Sequence, residues 1–436
     1  MPEFLRLLPP DEARALLLSH LAGPEADSEL IDTTRALDRV TAEDVIAPHP
    51  LPEFPRSTVD GYAVRARDTF GASDSLPAYL NLIGEVPMGD SPAFELQSGQ
   101  CALIHTGGML PDGSDAVVML EYTQNVVGSS RPGRQNVAPA KTEIEIMRAA
   151  AEGENVIRVG EDVAAGQTVI PRGVRLRAAE IGGLMALGLI HVRVARKARV
   201  GLISSGDEVI APSQSPRPGQ VRDVNAYTLS SLAMKSGGEV VLYGIVRDQF
   251  EALQKTAARA LAECDVVVIT AGSSASTRDM TADVINSLGA PGVLVHGINT
   301  RPGKPTILGV CKGKAVIGLP GNPVSALVNG YLFLVPVIEK WLGETPRPRP
   351  TVTARLTVNI PSQAGREDWI PVKLSSMNHS PSSLKEQSMD HGEWIADPIF
   401  GKSNLIFTLA AAGGLLRISP DATGLSAGEM VEVVLI

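Results

Sequence analysis

Four short segments carry residue types suited to holding an anion together with a divalent cation. In Ala271-Gly272-Ser273-Ser274-Ala275-Ser276-Thr277-Arg278-Asp279 an apolar strand pattern gives way to small residues. Around Gly272, Ser273 and Ser274, backbone N–H groups can approach an anion, and the following helix start adds positive partial charge. Asp279 could hold a divalent cation on that anion, or simply cap the helix. Ser204-Ser205-Gly206-Asp207-Glu208 leads through a Pro-rich loop to Val221-Arg222-Asp223-Val224-Asn225. Asp223 and Asn225 are good capping residues, so a structural role competes with a functional one. Accumulation favours function, because acidic groups near one sheet edge repel unless a cation or proton lies between them. Asn299-Thr300-Arg301-Pro302-Gly303-Lys304-Pro305 sets two cations on a loop stiffened by Pro and Gly. Such a loop is pre-organised for phosphate or another oxyanion. In Gly318-Leu319-Pro320-Gly321-Asn322-Pro323-Val324-Ser325, Asn322 as cap and Pro323 in the first turn account for a helix start. The same geometry presents backbone donors to an anion, and both readings stand.

Three further segments hold candidate residues in turns: Asp60 in STVDGYAV, Thr106 in HTGG and Asp162 in GEDVAAG. Asp-Gly and Thr-Gly-Gly are turn signals, and turn formation alone accounts for them.

The elements that must position these residues follow from periodicity. Leu5 to about Leu37 shows helical spacing, broken at Gly23-Pro24. From Ile46 to about Ile146, short alternating runs such as CALIHTGG and DAVVMLEYT predict a β-rich domain. Within it, GSSRPGRQNVAPAK, with Arg131 and Arg134, reads as an exposed loop or hairpin arm. RAAEIGGLMALGL predicts a helix. Strands ARVGLISSG, EVVLYGIV and DVVVITAGSS then alternate with helices NAYTLSSLAMKSGG, FEALQKTAARALAEC and TADVINSLGA. That order implies a mostly parallel sheet covered on both faces, with ligands beyond its carboxyl edge. A helix, PVSALVNGYLFLVPVIEKWLG, closes this unit, and a Pro-rich linker from Thr345 to Pro350 follows. TARLTVNI, DWIPVKL, GLLRIS and MVEVVLI predict a small C-terminal β domain. The expected layout is therefore a multidomain α/β and β protein. An extended helix/linker domain takes residues 1–46 and 151–188, and a β-rich domain takes 47–150. A central three-layer α/β domain takes 189–345, and a β-barrel-like domain takes 346–436.

Composition excludes several functions. A chain of 436 residues is too long for one ordinary core, and 44% hydrophobic with 20% charged residues fits a packed soluble protein. A net charge of −9 argues against a general nucleic-acid binder. Cys101, Cys264 and Cys311 are too far apart and too few for a disulfide framework or zinc site. The amino-terminal segment lacks a basic leader and cleavage site, and no apolar stretch is long enough to span a bilayer. The expected compartment is the cytoplasm, with no membrane partner.

Taken in order, the segments STVDGYAVR, GEVPMGD, IHTGGMLPDGSDAVVMLE, GEDVAAGQTV, SSGDEV, GQVRDVNAYTL, RPGKPT and GLPGNPVSAL resemble the MoeA family. That family includes the catalytic E domain of gephyrin. The resemblance runs from about Leu51 to Leu327, and the flanks fit the family's four-part layout. It implies a homodimer of elongated subunits with an active site between the α/β domain of one and the β-rich domain of the other. The implied reaction hydrolyses adenylylated molybdopterin in the presence of molybdate and Mg²⁺, releasing AMP while the dithiolene receives the metal.

By the same resemblance, Asp223 and Asp279 would hold Mg²⁺, while Asp60 and Asp162 orient the water or the pterin end. Glu208, Thr106 and Asn225 are candidate binding residues. Lys304 with Arg301 would hold phosphate or molybdate oxygens, and Arg366 and Ser403 of the last domain would complete the oxyanion pocket. Expected partners are the molybdopterin adenylyltransferase and molybdoenzyme acceptors. The chain departs from the commoner family pattern at the Ser-rich loop, where Ala271 and Ser276 replace glycines, and at Arg301, where many relatives have Lys. Alternatives in view are an adenylyltransferase, a tungstate-specific insertase and a gephyrin-like scaffold.

Overall fold

Apolar runs flanked by amphipathic segments build the sheet that dominates the middle of the chain. The computed structural model describes residues 7–22, 27–126, 142–271, 275–376 and 394–436, and for 275–279 the backbone alone. Strands β9 (Ala198–Ser205), β10 (Gly238–Val246), β11 (Val266–Ala271) and β14 (Lys314–Pro320) lie parallel in the order β10-β9-β11-β14. β13 (Ile307–Cys311) and β12 (Pro291–His296) extend the sheet antiparallel, so it is parallel over four strands of six.

Helices cover both faces. On α3 (Asn225–Lys235), Leu229, Leu232 and Ala233 recur at helical spacing and pack on one face. The same core takes Ala13 and Leu17 of α1 (Pro10–His20), Ala326 and Val328 of α6 (Pro323–Asn329) and Val337 and Ile338 of α7 (Val335–Trp341). A five-residue π-helical turn, Gly330–Leu334, joins α6 to α7. On the other face lie α4 (Phe250–Glu263), through Leu253, Ala257, Ala260 and Leu261, and α5 (Ala275–Ser287). Each stripe is the buried face of a surface helix.

A mixed six-stranded sheet forms earlier in the chain. Its strands are β2 (Gly61–Val64), β3 (Ala78–Glu85), β4 (Gln100–Ile104), β5 (Ala116–Met119), β6 (Thr123–Val126) and β7 (Glu143–Ile146), in the order β5-β2-β4-β3-β7-β6. The arm expected at 128–141, with Arg131 and Arg134, lies outside the described residues. At the carboxyl end, β15 (Thr351–Leu356), β16 (Glu367–Ser376), β17 (Trp394–Pro398), β18 (Gly414–Ile418) and β19 (Met430–Leu435) run in the order β16-β17-β15-β19-β18. β18 pairs back onto β16 and closes a five-stranded barrel.

The amino-terminal helix reading needs correction. Among the described residues of this stretch α-helix forms only over α1, whereas β1 (Ser28–Asp32) is a strand paired antiparallel with β8 (His191–Ala195), and Thr33–Arg35 is a single 3₁₀ turn. The partner strand, far on in sequence, supplies the backbone pairing that overrides local spacing. α2 (Ala178–Ala186) packs Leu184 with Ala36, Ile170, Leu176, Val192 and Val194.

Candidate functional site

The chain leaves β9 through α3 to reach β10 on one side, then crosses through α4 to β11 on the other. A sheet wound this way opens a crevice at its carboxyl edge, between β9 and β11. Register sets Ser204 beside Thr270, Thr270 beside Leu319 and Ala271 beside Pro320, so β9, β11 and β14 end together. His296 opposes Ile307 and Ile307 opposes Gly318, which brings the loop from Gly297 to Thr306 to the same edge.

Asp223 is buried over this edge. Its Oδ2 accepts the Ser204 hydroxyl at 2.6 Å and its Oδ1 accepts the Ala226 N–H at 3.1 Å. The second bond caps the first turn of α3. Asp223 forms no ion pair among the described residues, so a buried carboxylate stands with hydrogen bonds alone. Asn225, expected as a second capping residue, does not cap. Its Nδ2 donates to the Gly321 carbonyl at 2.8 Å and its buried Oδ1 has no partner among the described residues. The amide therefore ties α3 to the loop after β14. The Ser205 hydroxyl donates to Asp248 at 2.6 Å, adding a carboxylate from the exit of β10.

At the start of α6, Asn322 occupies the cap position but makes no side-chain capping bond. The Val324 N–H donates to the Ser403 carbonyl at 3.0 Å, so one of the helix's free donors is taken by the C-terminal barrel. Arg301 and Lys304 are exposed on a loop whose backbone is fixed. Gly303 has φ +106°, and a Cβ there would stand 1.6 Å from Asn329 Nδ2. The fully buried Asn329 donates from Nδ2 to the carbonyls of Pro302, at 3.1 Å, and Ser325, at 2.8 Å. Thr300 and Arg301 form a short strand parallel to Glu367 and Asp368 of β16, so the basic loop is seated on the barrel.

A second cluster forms on the mixed sheet. Gly61 pairs so tightly with β5 that a Cβ would meet the Val118 carbonyl at 2.1 Å, which fixes the Asp60 turn. Asp60 Oδ1 accepts the Thr106 N–H at 2.8 Å and the Thr106 hydroxyl at 3.2 Å. His105 Nδ1 lies 3.7 Å from the same oxygen, and His105 Nε2 lies 3.0 Å from Glu85 Oε1. The Thr106 N–H, then its hydroxyl, hold the Asp60 carboxyl below the usual carboxylate range against an opposing desolvation, and His105 adds the least of these effects. Asp162 is exposed on the turn from Gly160 to Gly166, its N–H donating to the Leu51 carbonyl at 3.1 Å. The hydrogen bonds and ion pairs of the Asp60 and Thr106 side chains stay within this cluster and do not reach the α/β sheet edge.

Comparison with known proteins decides the family. The model for the MoeA N-terminal region, domains I and II, matches residues 8–188, and that for the MoeA C-terminal region, domain IV, matches 353–436. Between them, residues 201–340 match a model described as a probable molybdopterin binding domain. The chain belongs to the MoeA family. It is 34% identical to a molybdopterin molybdenumtransferase of Nostoc over 350 residues, covering 79% of this chain and 77% of that one. To a molybdopterin molybdenumtransferase 2 of Mycobacterium tuberculosis it is 31% identical, covering 92% and 94%. The crystal structure of a molybdopterin biosynthesis MoeA protein from Pyrococcus horikoshii superposes with a TM-score of 0.80 at 32% identity, over 99% of this chain and 100% of that one.

In this MoeA chain the residues expected to act together fall into two groups. Asp223, Asn225, Arg301, Lys304, Asn322, Ser325 and Ser403 gather at the α/β edge, and Asp60 and Thr106 gather on the mixed sheet. Glu208 is exposed just beyond β9, its carbonyl accepting the Val221 N–H at 2.9 Å. Arg366 adjoins the basic loop, but its guanidinium is engaged by the buried Asp368 at 2.7 and 3.0 Å. Gly272, Ser273 and Ser274 lie outside the described residues, as does the side chain of Asp279. Sequence reasoning missed Asp248, Glu85 and His105. Asp248 stands two residues past a strand at the same edge, and His105 directly precedes Thr106, so position alone could have flagged both.

Proposed function

We propose that this chain is a molybdopterin molybdenumtransferase: it inserts molybdate into adenylylated molybdopterin and releases AMP, completing molybdenum cofactor synthesis. The observation that carries the reading is the shared sheet edge, along which the buried Asp223 and the exposed cations Arg301 and Lys304 are set on neighbouring loops. Such an edge suits a substrate whose pyrophosphate is anionic. Arg301 and Lys304 would bind phosphate or molybdate oxygens, with Asn322, Ser325 and the Gly272–Ser274 loop lining the anion path.

Asp223 fits a hard divalent cation. It is an oxygen donor, buried, and without an ion-pair partner among the described residues. With Asp279 it would hold Mg²⁺, which when bound supplies charge neutralisation on the pyrophosphate. Asp60, kept ionised by Thr106, and Asp162 would orient the water or the pterin end. Glu208 and Asn225 would line the binding cleft, and Arg366 and Ser403 would close the oxyanion side.

Among the described residues the Asp60 cluster and the α/β edge share no hydrogen bond within one chain, and a homodimer would complete one subunit's edge with the other's Asp60 cluster. Among the described residues no helix is long and apolar enough to cross a membrane, and all three cysteines are free. Free thiols suit a reducing cytoplasm. There the substrate would come from a molybdopterin adenylyltransferase and the product would pass to molybdoenzymes.

The test is AMP release by purified protein from adenylylated molybdopterin at saturating Mg²⁺, with and without molybdate or tungstate. Release that depends on the oxyanion supports the reading, and the preferred oxyanion identifies the metal inserted. Release with no oxyanion dependence refutes it, and pyrophosphate release from molybdopterin and ATP would assign the adenylylating step instead.

A further inference from the structure

The His105 imidazole stands between two carboxylates delivered by different strands. β3 and β4 run parallel with Glu85 beside Leu103, which brings the end of β3 alongside the turn that follows β4. Glu85 Oε1 is 3.0 Å from Nε2 and Asp60 Oδ1 is 3.7 Å from Nδ1. Glu121, past the end of β5, is one strand further on and makes no ion pair with the imidazole among the described residues. All the contacts to the Asp60 carboxylate, from the Thr106 N–H, the Thr106 hydroxyl and His105 Nδ1, converge on Oδ1. Oδ2 makes no hydrogen bond or ion pair to a described residue.

We propose that Glu85 and His105 are positioning residues for Asp60, fixing the carboxylate through Oδ1 so that Oδ2 is presented to the water or ligand it orients. The inference deepens the proposed reaction and rests on Asp60 belonging to its site. A carboxylate that holds one ring nitrogen fixes the orientation of the other, as it does for metal-bound and catalytic histidines. In the protonated ring both nitrogens donate, one towards each carboxylate. The side chains of Asp60 and Glu85 are each 57% exposed and that of His105 39%. Exposed pairs of this kind add little to stability, so their removal reads out in orientation and leaves the fold intact.

The test compares His105→Ala, His105→Asn and Glu85→Gln with the unmodified protein in molybdate-dependent AMP release. His105→Ala is expected to lower kcat by up to about fivefold with little change in KM or in the thermal melt. His105→Asn, whose amide N–H can stand near the Nδ1 position, recovers part of that loss, and Glu85→Gln shows a smaller one. The acid limb gives the sign. Asp60 is held low chiefly by Thr106, with His105 a lesser contributor, so loss of the imidazole moves its protonation to higher pH and the acid limb of kcat follows.

A ¹³C-carboxyl titration of Asp60 in the unliganded protein reads the same displacement without turnover. If the unmodified protein released no AMP, the functional reading would fail alone, and the titration would still decide the positioning. An Asp60 midpoint unmoved by His105→Ala overturns the proposal.

Discussion

Asp223 has a demonstrated structural role and a proposed chemical one, and two substitutions at that position separate them. Asp223→Ala removes the cap on the Ala226 N–H and leaves the buried Ser204 hydroxyl without its acceptor. Loss of a cap costs about 1 kcal/mol and an orphaned buried hydroxyl about 1–3 kcal/mol. Together the loss is about 2–4 kcal/mol, a fall of about 5–15 °C in the melting of the α/β unit. Asp223→Asn keeps the shape. Its amide oxygen can still accept the Ala226 N–H, and its Nδ2 can donate to Ser204 Oγ, so the expected destabilisation is within about 1 kcal/mol. What Asn cannot replace is the negative charge. If Asp223 holds Mg²⁺ on the substrate, Asp223→Asn should lower AMP release about a hundredfold or more while melting close to the unmodified protein. The assay pairs a thermal melt and amide exchange at Ala226 with AMP release across a Mg²⁺ series, where added Mg²⁺ recovers part of the loss. Near-normal turnover by Asp223→Asn would reduce the residue to a helix cap and refute the cation-binding argument.

Gly303→Ala introduces a Cβ into Asn329 at a left-handed φ, so the basic loop must move away from α6; oxyanion affinity, measured by calorimetry, should fall about tenfold. Normal affinity would show that the loop's conformation is not what holds the anion. Arg175 bridges Glu344, the Asp38 carbonyl and the Ser236 carbonyl in a nearly buried ion pair. Arg175→Ala leaves the buried Glu344 with the exposed Arg347 alone, at 3.3 Å, and should cost about 3 kcal/mol; an unchanged thermal melt would contradict that burial.

Much of the α/β unit is legible in the sequence because its strands are buried on both faces and read as unbroken apolar runs, as in VVVITA and ARVGLISS. α4 is equally plain, since Leu253, Ala257, Ala260 and Leu261 keep helical spacing. β1 is not legible. SELID is almost wholly exposed and carries no alternation, and only its distant partner strand makes it a strand. At the site, the residue types were readable but their pairings were not. Whether Asp223 or Asn225 caps α3 depends on where the helix begins, to within two residues. The approach of Glu85 to His105 depends on the β3–β4 register, which shifts between Leu82 and Gly84. No local pattern encodes that shift, and a one-residue slip would turn Glu85 to the opposite face. The Arg366–Asp368 pair, by contrast, joins residues two apart in sequence at the start of β16, and so needs no long-range register.

If the Arg301 loop holds an anion as proposed, the two-residue strand at Thr300 and Arg301 would make the C-terminal barrel a mechanical party to its binding. The loop that presents Arg301 and Lys304 is hydrogen-bonded through its backbone to Glu367 and Asp368, while Ser403 holds the start of α6 from the other side. An anion that stiffens the loop therefore stiffens the seat of the barrel. By reciprocity, a force that rocks the barrel away from the sheet must loosen the anion by the same free energy. Anything that grips the barrel from outside would thus have a handle on how tightly the loop holds its anion, without touching the loop itself.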